Sequence, residues 1–308
     1  MSKPNLAKAE PTLGLRPIEG EYALSRVLPE RGIPDWANGP GLVNVTQAED
    51  EISILCLGDR VPERVEHSAG WAAVQVSNLC DFDEPGVVLA ATRPVSEAGL
   101  GVFVVSTFLR DYILVRQGNL RRAELAWLQA GHRIHLQGLT LRCADPEDCD
   151  QIADFHVRLW RQTYEGMAPE SAIQALGFDR RQPQWRTKLS GERSQSMTIL
   201  AEDDQGRIQG LCDLAKSDNA EFPDAMELTN LYIDPAAQGI GLGRHLLQLA
   251  QQWAQTSGAS DLILAVVTQN ESALNFYRAC GGDPVAKSLD KGPLWRSENV
   301  IMRWSSGL

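Results

Sequence analysis

Residues 227–244 constrain this chain more than any other stretch. A segment of strand character, Leu228 to Ile233, stops at Asp234-Pro235, and glycines follow at 239, 241 and 243. A helix-patterned segment, His245 to Ser257, begins at once. Glycine lets the backbone turn tightly and brings N–H groups together without Cβ interference. The helix that follows aims its unpaired N–H groups and the positive end of its dipole back at the loop. Strand, glycine turn and helix together predict an anion site suited to a pyrophosphate.

Three glycine-rich patterns compete for that site. A P-loop ends in Gly-Lys-Ser/Thr, and Leu242-Gly243-Arg244 does not supply it. A dinucleotide fingerprint needs a third glycine where Arg244 stands, and Asp261 begins the next strand instead of ending it. The third pattern, Gln/Arg-x-x-Gly-x-Gly/Ala, is met at every fixed position by Gln238, Gly241 and Gly243. With it come Leu231-Tyr232-Ile233-Asp234-Pro235 upstream and Asn270-x-x-Ala273-x-x-Phe276-Tyr277-x-x-x-Gly281 downstream. On these residues the segment resembles the GNAT family of acyl-CoA-dependent N-acetyltransferases. Gly282 replaces the aromatic that usually follows the last glycine of that pattern.

The resemblance extends over residues 138–304 and implies a mixed α/β sheet, acetyl-CoA as cosubstrate and no metal. It assigns Leu231, Tyr232, Ile233, Gln238, Gly239, Ile240, Gly241, Leu242, Gly243, Arg244 and Asn270 to the coenzyme. Acetyl transfer to an amine needs a base, because an ammonium has no lone pair, and benefits from an acid at the departing thiolate. Glu227, four residues before Leu231, is the candidate base, with Glu202 and Asp213 as weaker ones. A regular strand would put Glu227 on the face of Thr229, Leu231 and Ile233. Tyr277 is the candidate acid, with a packing role as its alternative. Trp160, Tyr164 and Trp185 are expected on the acceptor side or, equally, in the core.

Upstream the chain repeats itself at an offset of 60 residues. Gly41-Leu42-Val43-Asn44-Val45-Thr46 lies over Gly101-Val102-Phe103-Val104-Val105-Ser106, and the register holds through Ile52/Tyr112, Ile54/Leu114 and Gly58/Gly118. Two strand–turn–strand units imply two small modules of like fold. Gly101 to Val115, through Ser106-Thr107-Phe108 and Asp111, with the preceding Asp81-Phe82-Asp83-Glu84-Pro85-Gly86, resembles the tandem ACT domains of amino-acid sensors. That resemblance covers residues 20–135. It implies ferredoxin-like βαββαβ modules and an amino-acid ligand held by Asp81, Glu84, Gly101, Val102, Thr107, Phe108 and Asp111. An ammonium wants the carboxylates and a carboxylate wants the amides and Thr107, although Thr107 and Asp111 would equally suit a turn.

The expected architecture is therefore α+β in two domains: a tandem ACT domain at 14–135 and a GNAT domain at 138–308. The length of 308 residues accommodates both. Net charge is −11, so nucleic acid is not an expected partner, and an amine acceptor suits the sign. No apolar run reaches the ~18 residues of a membrane span. Met1 to Leu13 reads as a loose tail without the apolar stretch of a signal peptide. Six cysteines without a C-x-x-C pair read as a reduced, cytoplasmic protein, and His132 and His135 as a surface cluster.

The expected function is acetyl-CoA-dependent N-acetylation of a protein lysine or small amine, allosterically regulated by an amino acid. The alternative is a non-catalytic amino-acid and acyl-CoA sensor acting through protein interaction. Either is compatible with a homodimer.

Overall fold

Two units divide the chain, Met1–Gln137 and Gly138–Leu308. The computed structural model describes residues 11–77, 85–191, 196–290 and 292–305.

The N-terminal unit contains β1 (Gly14–Pro17), β2 (Tyr22–Val27), β3 (Asn44–Gln47), β4 (Ile52–Leu57) and β5 (Glu66–Val76). These are followed by α1 (Val87–Glu97), β6 (Phe103–Ser106), β7 (Asp111–Arg116), α2 (Leu120–Gln129) and β8 (Arg133–Leu136). The eleven residues of β5 tie its strands together. Its first half pairs β2 and its second half pairs β1 along one edge, and β7 pairs the other edge.

The repeat is present, at an offset of 59. Asn44 pairs Leu55 where Phe103 pairs Leu114, and four-residue turns close at Ala48–Glu51 and Thr107–Arg110. Buried Ile54, Leu55 and Cys56 match buried Ile113, Leu114 and Val115. The offset of 60 follows Gly41 and Gly101, which lie in the connections ahead of the hairpins. One residue of slip in a strand moves every side chain to the opposite face, so the hairpin offset is the physical one.

The halves differ in their helices. β5-α1-β6-β7-α2-β8 carries the full βαββαβ alternation, whereas the described residues of the first half have only 3-10 turns at Pro29–Arg31, Asp35–Ala37 and Gly58–Arg60. β1 lies between β5 and β8, antiparallel to the first and parallel to the second. Order therefore begins before residue 14, and Leu13 and Leu15 are completely buried. A four-residue strand ending in proline carries too little pattern to be read from sequence.

His132 is a structural residue and not part of a surface cluster. Pro94 sits inside α1, where it has no N–H to offer the carbonyl of Ala90 four residues back. His132 Nε2 lies 2.9 Å from that carbonyl oxygen, while its Nδ1 accepts from the Leu13 amide at 3.2 Å. Accepting at Nδ1 leaves the ring proton on Nε2, so one buried imidazole satisfies two main-chain groups. Trp127 Nε1 donates to the neighbouring Ala91 carbonyl at 2.7 Å and ties α2 to α1.

The C-terminal unit runs β9 (Leu139–Cys143), α3 (Cys149–Tyr164), α4 (Glu170–Ala175), α5 (Phe178–Leu189), β10 (Ser196–Glu202), β11 (Ile208–Lys216) and β12 (Met226–Ile233). Then come α6 (Leu242–Thr256), β13 (Asp261–Val267), α7 (Glu271–Ala279), β14 (Asp283–Leu289) and β15 (Glu298–Ser305). The strand order is β14-β15-β13-β12-β11-β10-β9, antiparallel except for β12 with β13. An apolar stripe of Ile152, Phe155 and Leu159 packs α3 against Leu200, Leu211 and Tyr232. The buried series Leu242, Leu246, Leu249, Ala250 and Trp253 on α6 has helical spacing, and the Cys212 thiol lies against the Leu246 carbonyl oxygen, at 3.8 Å.

Replacing His132 by Ala leaves two buried main-chain groups without partners. Urea unfolding should show a loss of about 3 kcal/mol. Adding Pro94→Ala, which returns an N–H to the Ala90 carbonyl, should recover part of it.

Candidate active site

The site begins with a mismatch between two strands. Along β11, Leu214 pairs Leu228 and Asp213 pairs Asn230, so Thr229 is an extra residue, a β-bulge. Directly paired residues share a face. Glu227, paired with Ala215, therefore stands with Asn230 and Tyr232, opposite Asp213 and Leu211. Leu228, Leu231 and Ile233 take the other face, toward Cys212 and Gly210. A regular strand would have placed Glu227 with Leu231 and Ile233. The bulge switches the alternation and separates them.

On its other edge β12 pairs β13 only at Met226↔Leu262 and Glu227↔Ile263. Beyond that point the strands part, and a cleft of about 870 Å³ opens between them. Its walls include Thr229 to Ile233 from β12 and Leu264 to Val266 from β13, and main-chain groups of β12 that a neighbouring strand would use are not paired by β13.

The glycine turn closes one end. Asp234 caps the 3-10 turn Pro235–Ala237 by accepting from the Ala236 amide at 3.0 Å, and Gln238 Nε2 donates to the Ile233 carbonyl at 3.1 Å. Gly239 and Gly241 have φ of 78° and 86°, a region where an L side chain is strained. Gly241 leads into α6, whose first N–H groups have no intrahelical partner. Gly243 admits the helix to α7, since a Cβ there would lie 3.3 Å from the Phe276 ring. Gln238, Gly239, Gly241, Leu242, Gly243 and Arg244 line the cleft, together with Leu231, Tyr232, Ile233 and Asn270. Ile240 stands apart at the loop tip, 63% exposed, so any part it takes is through its main chain.

At the opposite wall, Asn270 caps α7, its Oδ1 accepting from the Ala273 amide at 3.1 Å. Tyr277 also lines the cleft, its ring edge-on to Phe276 and Trp304 at 5.1 and 5.9 Å. Burial pushes its phenol well above the ordinary range, so it stays protonated. Tyr164 lines the cleft too, its ring tilted against Trp160 at 5.1 Å and edge-on to Trp295 at 5.5 Å. Trp160 and Trp185 belong to the core instead, the latter donating to His156 Nδ1 at 3.2 Å.

The three carboxylates separate by their surroundings. Glu202 is gripped by the Arg142 guanidinium at 2.5 and 2.9 Å, which also forks onto Asp148. Asp213 is completely buried and saturated with donors. Glu227 is half-buried, just beyond the residues that line the cleft. Burial pushes its carboxyl above the usual range, Asp218 adds to the shift and Lys188 opposes it.

In the N-terminal unit, Asp81 and Glu84 lie outside the described residues. Thr107 closes the β6–β7 turn, its amide and hydroxyl both donating to the Arg110 carbonyl at 2.8 and 2.9 Å. Phe108 is 78% exposed at the tip of that turn, Asp111 opens β7, and Gly101 and Val102 lie just before β6.

The site is thus a strand pair that parts beside a glycine-rich helix N-terminus. A model of the acetyltransferase (GNAT) family matches residues 157–281, within the C-terminal unit. An ACT domain model matches residues 66–126, and a further model, described as an N-terminal domain, matches 20–64. The chain is 28% identical over 166 residues to the uncharacterized N-acetyltransferase YuaI of Bacillus subtilis, covering 54% of this chain and 92% of that one. Among solved structures it is similar to protein Atu0741 of Agrobacterium tumefaciens (39% identity, TM-score 0.40, 41% of this chain and 95% of that one). Another is the PaiA N-acetyltransferase of Thermoplasma acidophilum in complex with coenzyme A (20% identity, TM-score 0.45, 55% and 99%).

The raised carboxyl of Glu227 has a thermodynamic sign. A carboxylate that binds its proton more tightly when folded opposes folding as it ionises, so its contribution worsens as pH rises through the carboxylate range. The stability of Glu227→Gln relative to the parent should therefore increase from pH 4 to pH 7, read as a growing difference in urea midpoints. A constant difference would contradict the shift.

Proposed function

We propose that the chain transfers an acetyl group from acetyl-CoA to a primary amine, and that the cleft between β12 and β13 holds the donor. The parting of these strands directly beside the glycine turn carries this reading. The coenzyme pyrophosphate accepts hydrogen bonds from the amides of residues 239–244, where the dipole of α6 adds its field. Gly239 and Gly241 fit this role, since only glycine takes their backbone conformation without strain. The pantetheine amides pair with Leu231 and Ile233 as an added strand would, and Asn270 borders the same arm.

The reaction needs no covalent enzyme intermediate. The neutral amine attacks the thioester carbonyl, the tetrahedral oxyanion is held by a main-chain N–H of β12, and the C–S bond breaks with its electron pair on sulfur. Glu227 takes the ammonium proton. It stands beyond the cleft lining, so the proton reaches it through water. Its raised affinity for a proton brings it closer to the amine and makes it a better base at neutral pH. Tyr277, protonated and beside the cleft, donates to the thiolate.

The N-terminal unit, in this reading, binds an α-amino acid that regulates the transferase. The ACT match and the βαββαβ order of β5 to β8 support it. Regulation requires the amino acid to favour one arrangement of the enzyme over another.

Thiol release measured across amines, peptides and free amino acids tests the activity. Glu227→Gln should lower kcat/KM about 100-fold at neutral pH, and Tyr277→Phe about tenfold. A chain that releases no thiol with any amine would instead be an acyl-CoA-binding sensor. For the regulatory unit, one of the twenty amino acids should raise the melting temperature, and Asp111→Ala should abolish that rise.

A further inference from the structure

Behind the cleft lies a charge that acetyl transfer does not use. Asp213 on β11 is completely buried, and four side chains converge on its carboxylate. Thr198 Oγ1 donates to Oδ1 at 2.8 Å. Lys188 Nζ at 2.5 Å, Asn230 Nδ2 at 3.1 Å and Thr229 Oγ1 all donate to Oδ2. Two of these donors, Thr229 and Asn230, are the residues at the bulge, and both line the cleft. Lys188 comes from the last turn of α5 and also reaches Thr229 Oγ1 at 3.4 Å, with its ammonium 5.8 Å from the Trp185 ring.

The chemistry of the cluster is directional. An extra residue in a strand has no partner in the ladder and needs something else to fix it. Here every group facing residue 213 is a donor, so the position calls for an acceptor-only side chain with several lone pairs. An asparagine would present an NH2 to those donors. Ionised hydrogen bonds are about twice as strong as neutral ones, which suits a fixed feature at the head of a flexible opening.

We propose that Asp213, paired with Lys188, is a positioning residue that fixes the Thr229 bulge and thereby the parting of β12 from β13. The inference rests on reading that cleft as the acetyl-CoA site, but its own claim concerns strand geometry. It gives α5 a role in coenzyme binding although no α5 residue lines the cleft.

The test uses the full chain. Lys188→Met alone leaves a completely buried carboxylate without its cation, and Asp213→Asn alone leaves a half-buried ammonium unpaired; either can fail to fold for that reason, so the double variant Lys188→Met/Asp213→Asn is the decisive one. Hydrogen exchange without ligand is followed by mass spectrometry in peptides from β12 and α6, and thiol release gives KM and kcat. The double variant should exchange about tenfold faster in β12 with α6 unchanged, and its KM for acetyl-CoA should rise about tenfold. Lys188→Arg, which keeps the cation, should behave as the parent. Parental exchange and KM in the double variant would overturn the proposal, and so would an equal rise of exchange in both peptides. If the parent itself releases no thiol and binds no acetyl-CoA in calorimetry, the transferase reading fails. The exchange comparison then still decides the role of Asp213.

Discussion

A single buried carboxylate, Asp213, ties together the parts on which the cleft depends. It sits on β11, takes a lysine from α5 and a threonine from β10, and grips the two residues where β12 departs from regular pairing. All but one of the β12 residues that line the cleft, Thr229 to Ile233, lie at or beyond that departure, and Glu227 lies just before it. The bulge turns Leu231 and Ile233 toward α6 and Tyr232 toward α3, and past Glu227 the strand no longer pairs β13. A buried ion pair contributes little net stability, because desolvating two charges offsets most of their attraction. Its retention at this point is better understood as specifying one strand geometry.

The two faces of β12 then divide the labour. One faces α6 and the glycine turn that opens it, where the proposed coenzyme phosphate would meet the amides of a helix start. The other carries Glu227, Asn230 and Tyr232, of which Tyr232 packs against the aromatic cluster of Trp160, Tyr164 and Trp295. In the proposed reaction donor and acceptor approach from opposite sides of a single strand, with the opening beside it as the passage between them.

The glycine turn was legible in the sequence because its physics is written in residue type. Positive φ at 239 and 241 demands glycine, and Gly243 packs where a side chain would press on Phe276. Asn270 could also be read, since a side chain that caps a helix belongs to a small set of residues. The bulge was not legible, because it is fixed by Asp213, sixteen residues from Thr229 and on another strand. With it went the face assignment of Glu227. The repeat was visible but displaced by one residue, as common β-formers align almost as well at 60 as at 59. His132 looked like surface because nothing local announces that Pro94, thirty-eight residues earlier, has left a carbonyl to satisfy.

The central claim is that acetyl-CoA occupies the wedge between β12 and β13 with its pyrophosphate on the turn before α6. Titrating acetyl-CoA into isotopically labelled protein while following amide resonances tests it most directly. The account predicts that the largest shifts fall on residues 239–244 and on Leu231 and Ile233, saturating together with one affinity. Saturable shifts confined to other parts of the chain, with these amides unmoved, would contradict it.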